Sequence, residues 1–168
     1  MAESQPLKRS RFFAGQLLTA ADLDREQQYF RDKSKRHNRT LHGFGIVSGL
    51  KVTVDAGQIV VEPGLALDCE GNEVLIGAGQ SIAPPVLAVD RQTAYLSLRY
   101  AEELSEAQDT ITESFELAFA ADNFNRGHRH LRARWLACGQ PHALTIAKLK
   151  HSAQGWRVER GYRPPTIK

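Results

Sequence analysis

Apolar residues follow two rhythms along the chain. Between Thr19 and Leu41 they recur sparsely at spacings of three and four. From Leu50 onward they recur every second residue in short runs cut by Gly, Pro, Asn and Asp. The first rhythm predicts one long helix and the second a series of short antiparallel strands. Helical spacing gathers Ala20, Leu23, Gln27, Phe30, Ser34, His37 and Leu41 on one side. Only Leu23, Phe30 and Leu41 are large and apolar, a seam too narrow to form a core element alone. The helix is therefore expected to rest on the β structure that follows it or on another subunit.

The boundaries of this helix are written in its chemistry. Thr19 followed by Asp22 is a capping-box pattern, and no Gly or Pro interrupts Ala20 to His42. Asp22, Asp24 and Glu26 sit in the first turns, and Arg31, Lys33, Lys35, Arg36 and Arg39 crowd the second half, complementing the helix dipole. Gly43 supplies a stop at positive φ. A helix of about 23 residues would be ~35 Å long, so its exit angle decides where its far end lands. Asn38, Arg39, His42 and Gly43 are accordingly expected to form a structural joint between helix and body, because polar groups at a partly buried helix end need partners.

Beyond Gly43, runs at 50–54, 58–62, 65–67 and 73–76 alternate with turns such as Pro63-Gly64 and Glu70-Gly71-Asn72. They predict an antiparallel meander closing into a small barrel or sandwich. Tyr95 to Tyr100 and Ser114 to Phe119 read as further strands, and 143–150 with 156–159 as a closing hairpin. Residues 102–116 carry six acids and no base, and 102–112 reads as a solvated loop. The fold class expected is α+β: one long N-terminal helix followed by an antiparallel β-rich barrel or sandwich. The expected organisation is a flexible lead-in over 1–10, an aromatic entry and helix over 11–43, a β-rich domain over 44–162, and an extended tail over 163–168.

Composition changes this picture little. The chain has 168 residues, 42% hydrophobic and 24% charged, with a net charge of +3. Those values suit a globular domain with a real core, and the mild basicity permits an anionic partner without demanding one. No window resembles a signal peptide or a membrane span, so a cytoplasmic site of synthesis is expected. Two cysteines, Cys69 and Cys138, form no motif, and two free thiols are the expected state.

Candidate chemistry is thin. His128 and His130 stand among Arg126, Arg129, Arg132 and Arg134, the densest cationic cluster. No carboxylate or cysteine nearby completes a metal set; a solvated basic loop is the plainer reading, and a patch for phosphates or another anionic polymer is the functional one. His37 and His42 read as packed or capping histidines. Asp68-Cys69-Glu70 suggests a thiol site, but no oriented histidine can be named from spacing, and a buried structural cysteine is the default. Gly43-Phe-Gly45 lacks the following helix that a phosphate loop requires. No catalytic residues, cofactor or metal are expected, and Phe12 and Phe13 are candidate contact residues at the helix entry.

Three segments, FFAGQLLTAADLDREQQYF, HNRTLHGFGIVSGLKV and VVEPGLALDCEGNEVLI, resemble a family of small bacterial proteins associated with phage-tail-like contractile injection systems and phage tail or baseplate modules. The matching positions include Gly15, Gln16, Thr19, Asn38, Arg39, His42, Gly43, Gly49, Pro63, Gly64 and Asp68. The likeness covers roughly 12–76 well and 95–119 loosely. It implies a non-enzymatic structural or adaptor component of a contractile particle. Such a part would work through protein–protein contacts, in many copies, in a particle released from or acting at the cell envelope. The alternative is a binding module for an anionic polymer, nucleic acid or surface glycan, through 126–134.

Overall fold

The computed structural model describes residues 6–86, 92–127 and 142–167. Its fold is α+β, as the two rhythms predict: one N-terminal helix precedes antiparallel sheets. Helix α1 spans Ala20–His37. Its first turn is closed reciprocally, with the Asp22 amide donating to Thr19 Oγ1 (3.3 Å) and the Thr19 amide donating to Asp22 Oδ2 (3.1 Å). The Thr19 hydroxyl also donates to Asp22 Oδ2 (2.7 Å), and this bond, with that from the Thr19 amide, holds the Asp22 carboxyl below its ordinary range.

The α-helical ladder does not run to His42. Asn38–His42 widen into a π-helical turn, the kind of local insertion by which a helix re-aims a side chain. The re-aimed residue is Asn38, which is buried against the body. Thr40 Oγ1 reaches back to the Arg36 carbonyl (2.7 Å) and competes with the regular ladder.

The strands are β1 Gly45–Gly49, β2 Val52–Asp55, β3 Gln58–Val61, β4 Gly64–Leu67, β5 Glu73–Ile76, β6 Gln80–Ile82, β7 Thr93–Leu104, β8 Ile111–Ala120, β9 Ala143–Ser152 and β10 Gly155–Val158. They form sheets of order β1-β4-β5, β2-β3-β6 and β10-β9-β7-β8. The first half is therefore not a simple meander. After β1 the chain leaves its sheet, makes the β2-β3 hairpin, and returns so that Gly45 pairs with Leu67 and Gly49 with Gly64. Leu50 is the pivot. It adopts φ +57°, a costly conformation for a branched residue, with its side chain 1% exposed in the core and its amide donating to the Pro63 carbonyl (3.2 Å).

The acidic stretch also differs from expectation. β7 continues through Leu104 and β8 starts at Ile111, so the loop expected over 102–112 is confined to 105–110, and its two flanks are paired as strand. Its alternation is hard to see in sequence because both faces of this outlying end are exposed.

The core lies between the sheets. Ile59, Val61, Ile76, Leu96, Leu98 and Leu149 are wholly or almost wholly buried there, with Phe115, Phe119 and Trp156 packed partly against them. The C-terminal segment is tied to β1: Ile46 donates to the Pro165 carbonyl (2.8 Å) and Ile167 donates to the Ile46 carbonyl (2.9 Å).

Candidate interaction surface

Helix α1 contributes no buried residue. All seven positions of its sequence-defined seam, from Ala20 to Leu41, are exposed. Leu23 is 51% exposed, Phe30 59% and Leu41 63%, and the entry adds Phe12 at 46%, Phe13 at 70% and Leu17 at 86%. The side turned toward the chain's own body is polar. Glu26 accepts from the Ser10 amide (3.3 Å), Arg31 pairs with Glu102 on β7 (2.9 Å), and the Lys35 ammonium lies 5.9 Å from the Tyr100 ring centre. The helix thus turns its polar side inward and its apolar seam outward, the reverse of an ordinary surface helix.

The residues expected at the joint are placed as follows. Asn38 Nδ2 donates to the Gly71 carbonyl (3.0 Å) and to Glu73 Oε1 (3.2 Å). Arg39 Nη1 reaches the Glu70 carbonyl (3.4 Å). The His42 ring lies 5.3 Å from that of His37, and His42 itself is exposed. Gly43 takes φ +85° and its amide donates to the Asn38 carbonyl (3.0 Å). The body's half of this contact is the β4–β5 turn, where Gly71 at φ +90° lies so close to helix α1 that an added Cβ would stand 2.2 Å from the Lys35 carbonyl oxygen.

That turn is held by one carboxylate. Asp68 Oδ1 accepts from the amides of Glu70 (2.8 Å) and Asn72 (2.9 Å), and Oδ2 accepts from Asn72 Nδ2 (2.6 Å). Burial pushes the Asp68 carboxyl up, and the hydrogen bonds from Asn72 and Glu70 oppose that shift only in part.

Of the basic segment, Arg126 is exposed at the end of a 3₁₀ turn, Phe124–Gly127. Arg129, Arg132, Arg134, His128, His130 and Cys138 lie outside the described residues. The turn itself is seated by Asn125, whose Nδ2 donates to the Thr145 carbonyl (2.7 Å) while its Oδ1 accepts from the Thr145 amide (2.9 Å).

Sequence reasoning missed two features. A groove of about 890 Å³ runs between the edge strands β2 and β10, lined by Val52, Val54, Trp156 and the cations Lys51, Arg157 and Arg160. His142 is the second: its Nδ1 lies 3.1 Å from Cys69 Sγ and its Nε2 lies 2.9 Å from Glu70 Oε1. No spacing signal could have found it, because the partners are joined only through the sheet. Among the described residues no group of three or more His, Cys, Asp or Glu is placed to hold a metal. No helix there is long and apolar enough to cross a membrane.

No family model matches the sequence, and no curated protein matches it either. Solved structures do match its fold. A chain of the type VI secretion system TssK-TssF-TssG baseplate subcomplex is similar over 96% of this chain and 62% of its own length, at 13% identity and a TM-score of 0.53. A chain of the type VI secretion baseplate complex matches over 96% of this chain and 42% of its own, at 11% identity and a TM-score of 0.60. A crystal structure of TssK matches over 96% and 44%, at 12% identity and a TM-score of 0.58. The chain therefore spans less than two thirds of the length of these neighbours, and at such identities the likeness is one of fold, shared with chains of secretion-system baseplates.

Proposed function

We propose that this protein is a non-enzymatic structural or adaptor subunit of a phage-tail-like contractile particle, docking at the baseplate through protein–protein contacts and present in several copies. The observation that carries the proposal is the outward-facing seam of α1. Leu23, Phe30 and Leu41 lie on one side of a capped helix, exposed, while the polar side faces the body. Large apolar side chains left exposed on the face of a helix that its own body does not cover suit a protein contact. The fold shared with baseplate chains of a type VI secretion system supplies the setting, and the motif resemblance agrees with it. The body serves as a mount, and the joint at Asn38 and Gly71 sets the direction in which the helix presents its seam.

The test is Leu23→Glu combined with Phe30→Glu. The variant is expected to melt like the wild type, since neither side chain is buried, and to disappear from purified particles. Wild-type levels of the variant in particles would overturn the proposal, as would particles that never contain the protein.

A further inference from the structure

The β4–β5 turn carries a second arrangement that docking does not use. The Asp68 carboxylate clamps the turn from inside, so Cys69 and Glu70 are displayed in a fixed relation. The His142 ring, immediately before β9, fits between them: Sγ to Nδ1 is 3.1 Å and Nε2 to Glu70 Oε1 is 2.9 Å. Proton placement follows from the partners. An ionised carboxylate only accepts, so Nε2 carries hydrogen, and in the neutral ring Nδ1 then presents its lone pair to the thiol. Moving the thiol proton to Nδ1 leaves a thiolate beside an imidazolium that Glu70 steadies, the pairing that activates cysteine nucleophiles. Charged groups around the turn include Asp68 beneath it, Arg39, which reaches the Glu70 carbonyl, and Lys35 and Glu73, which line the same cleft as Gly71 and Asn72.

We propose that Cys69, paired with His142 and oriented through Glu70, is an activated thiol that small peroxides oxidise to the sulfenic acid. The thiolate sulfur attacks one peroxide oxygen and forms an S–O bond as the O–O bond breaks. Sulfur loses two electrons, and the departing hydroxide takes the imidazolium proton and leaves as water. The sulfenic acid and a neutral His142 remain. Cys69 is 7% exposed, which suits a reagent the size of hydrogen peroxide. The His142 and Glu70 side chains, at 31% and 41%, open the pair to solvent.

The experiment uses the full chain carrying Cys138→Ser, which leaves Cys69 as its single thiol. Hydrogen peroxide should oxidise Cys69 in the native protein to the sulfenic acid, read as a gain of one oxygen by intact mass and by dimedone labelling on unfolding after the peroxide is removed. Peroxide should consume this thiol roughly tenfold faster than that of glutathione at pH 7, with a rate nearly flat from pH 6 to 8, because an ordinary thiol of pKa ~8.5 is mostly protonated there. His142→Gln should lower the rate about tenfold and restore the steep rise with pH of an ordinary thiol. Oxidation that occurs only when the chain is unfolded before peroxide is added would overturn the proposal. So would a rate in the single-thiol chain that climbs tenfold per pH unit, a readout that does not depend on the histidine variant folding.

Discussion

Two regions of this molecule treat the same side chains in opposite ways. In the β body, Ile59, Ile76, Leu96 and Leu149 are 0% exposed. On α1, Leu23 and Phe30 are more than half exposed although the helix is well capped and correctly charged. Full burial of such a residue stabilises a fold by about 1.5–3 kcal/mol, so the body holds itself together and the helix adds almost none of that term. What fixes the helix is polar: its capping box, one exposed ion pair to Glu102, and the Asn38 contact with the β4–β5 turn. The contrast teaches that apolar side chains of the same type hold the fold together only where the chain itself covers them, as in the β body and not on α1.

The sharpest break in the comparison is Leu96→Ala against Phe30→Ala. The first should cost about 2–5 kcal/mol through lost contacts and a cavity, the second within about 0.5 kcal/mol, both read by urea unfolding of the isolated chain. Equal losses would mean that the helix seam is packed intramolecularly. Next comes the joint. Gly71→Val places a branched side chain at positive φ against the Lys35 carbonyl, for which the backbone strain alone is roughly 1–3 kcal/mol. Gly43→Val has open space around its Cβ and should cost on the order of 1 kcal/mol through φ alone. Thermal melts should rank Gly71→Val below Gly43→Val, and both below removal of Lys33 or Arg36.

A smaller effect separates the clamp from the core. The Asp68 carboxyl is pushed up by burial, so the native state holds its proton more tightly than the unfolded chain does. The stability this group contributes is full below the ordinary carboxylate value and is lost as pH rises through the raised one. In Asp68→Asn the amide keeps the Oδ1 acceptor, and Asn72 turns over to accept from the new Nδ2. The wild type should lose stability relative to this variant as pH rises through that window, and parallel profiles would refute the assignment. The smallest effect is at the Arg31–Glu102 pair: Arg31→Ala should change stability by less than about 1 kcal/mol, and by less still in high salt.

Much of this was legible from residue order, because it rests on local physics. The Thr19–Asp22 cap, the helix that follows, the turn at Glu70-Gly71-Asn72, the closing hairpin at Ser152 to Gly155 and the α+β class all follow from spacing, capping and turn chemistry. These act over a few residues. Even the weakness of the seam was visible in its own composition.

Tertiary structure alone decided which way the seam faces, because periodicity defines a face without saying what lies opposite it. Only folding could break the expected meander at Leu50, since β1 and β4 meet by sheet pairing across a hairpin that local rules treat as their neighbour. The same holds for the acidic hairpin, where a register between β7 and β8 makes strands of residues whose composition reads as loop. It also holds for Cys69, Glu70 and His142, which lie 73 positions apart at the Cys69–His142 contact and meet only because the β4–β5 turn and the start of β9 are brought together by the fold. Sequence by itself determined the class, the start of the helix and most of the short strands; long-range packing decided their partners and the ends of β7 and β8, because contacts between distant residues leave no periodic trace in either segment.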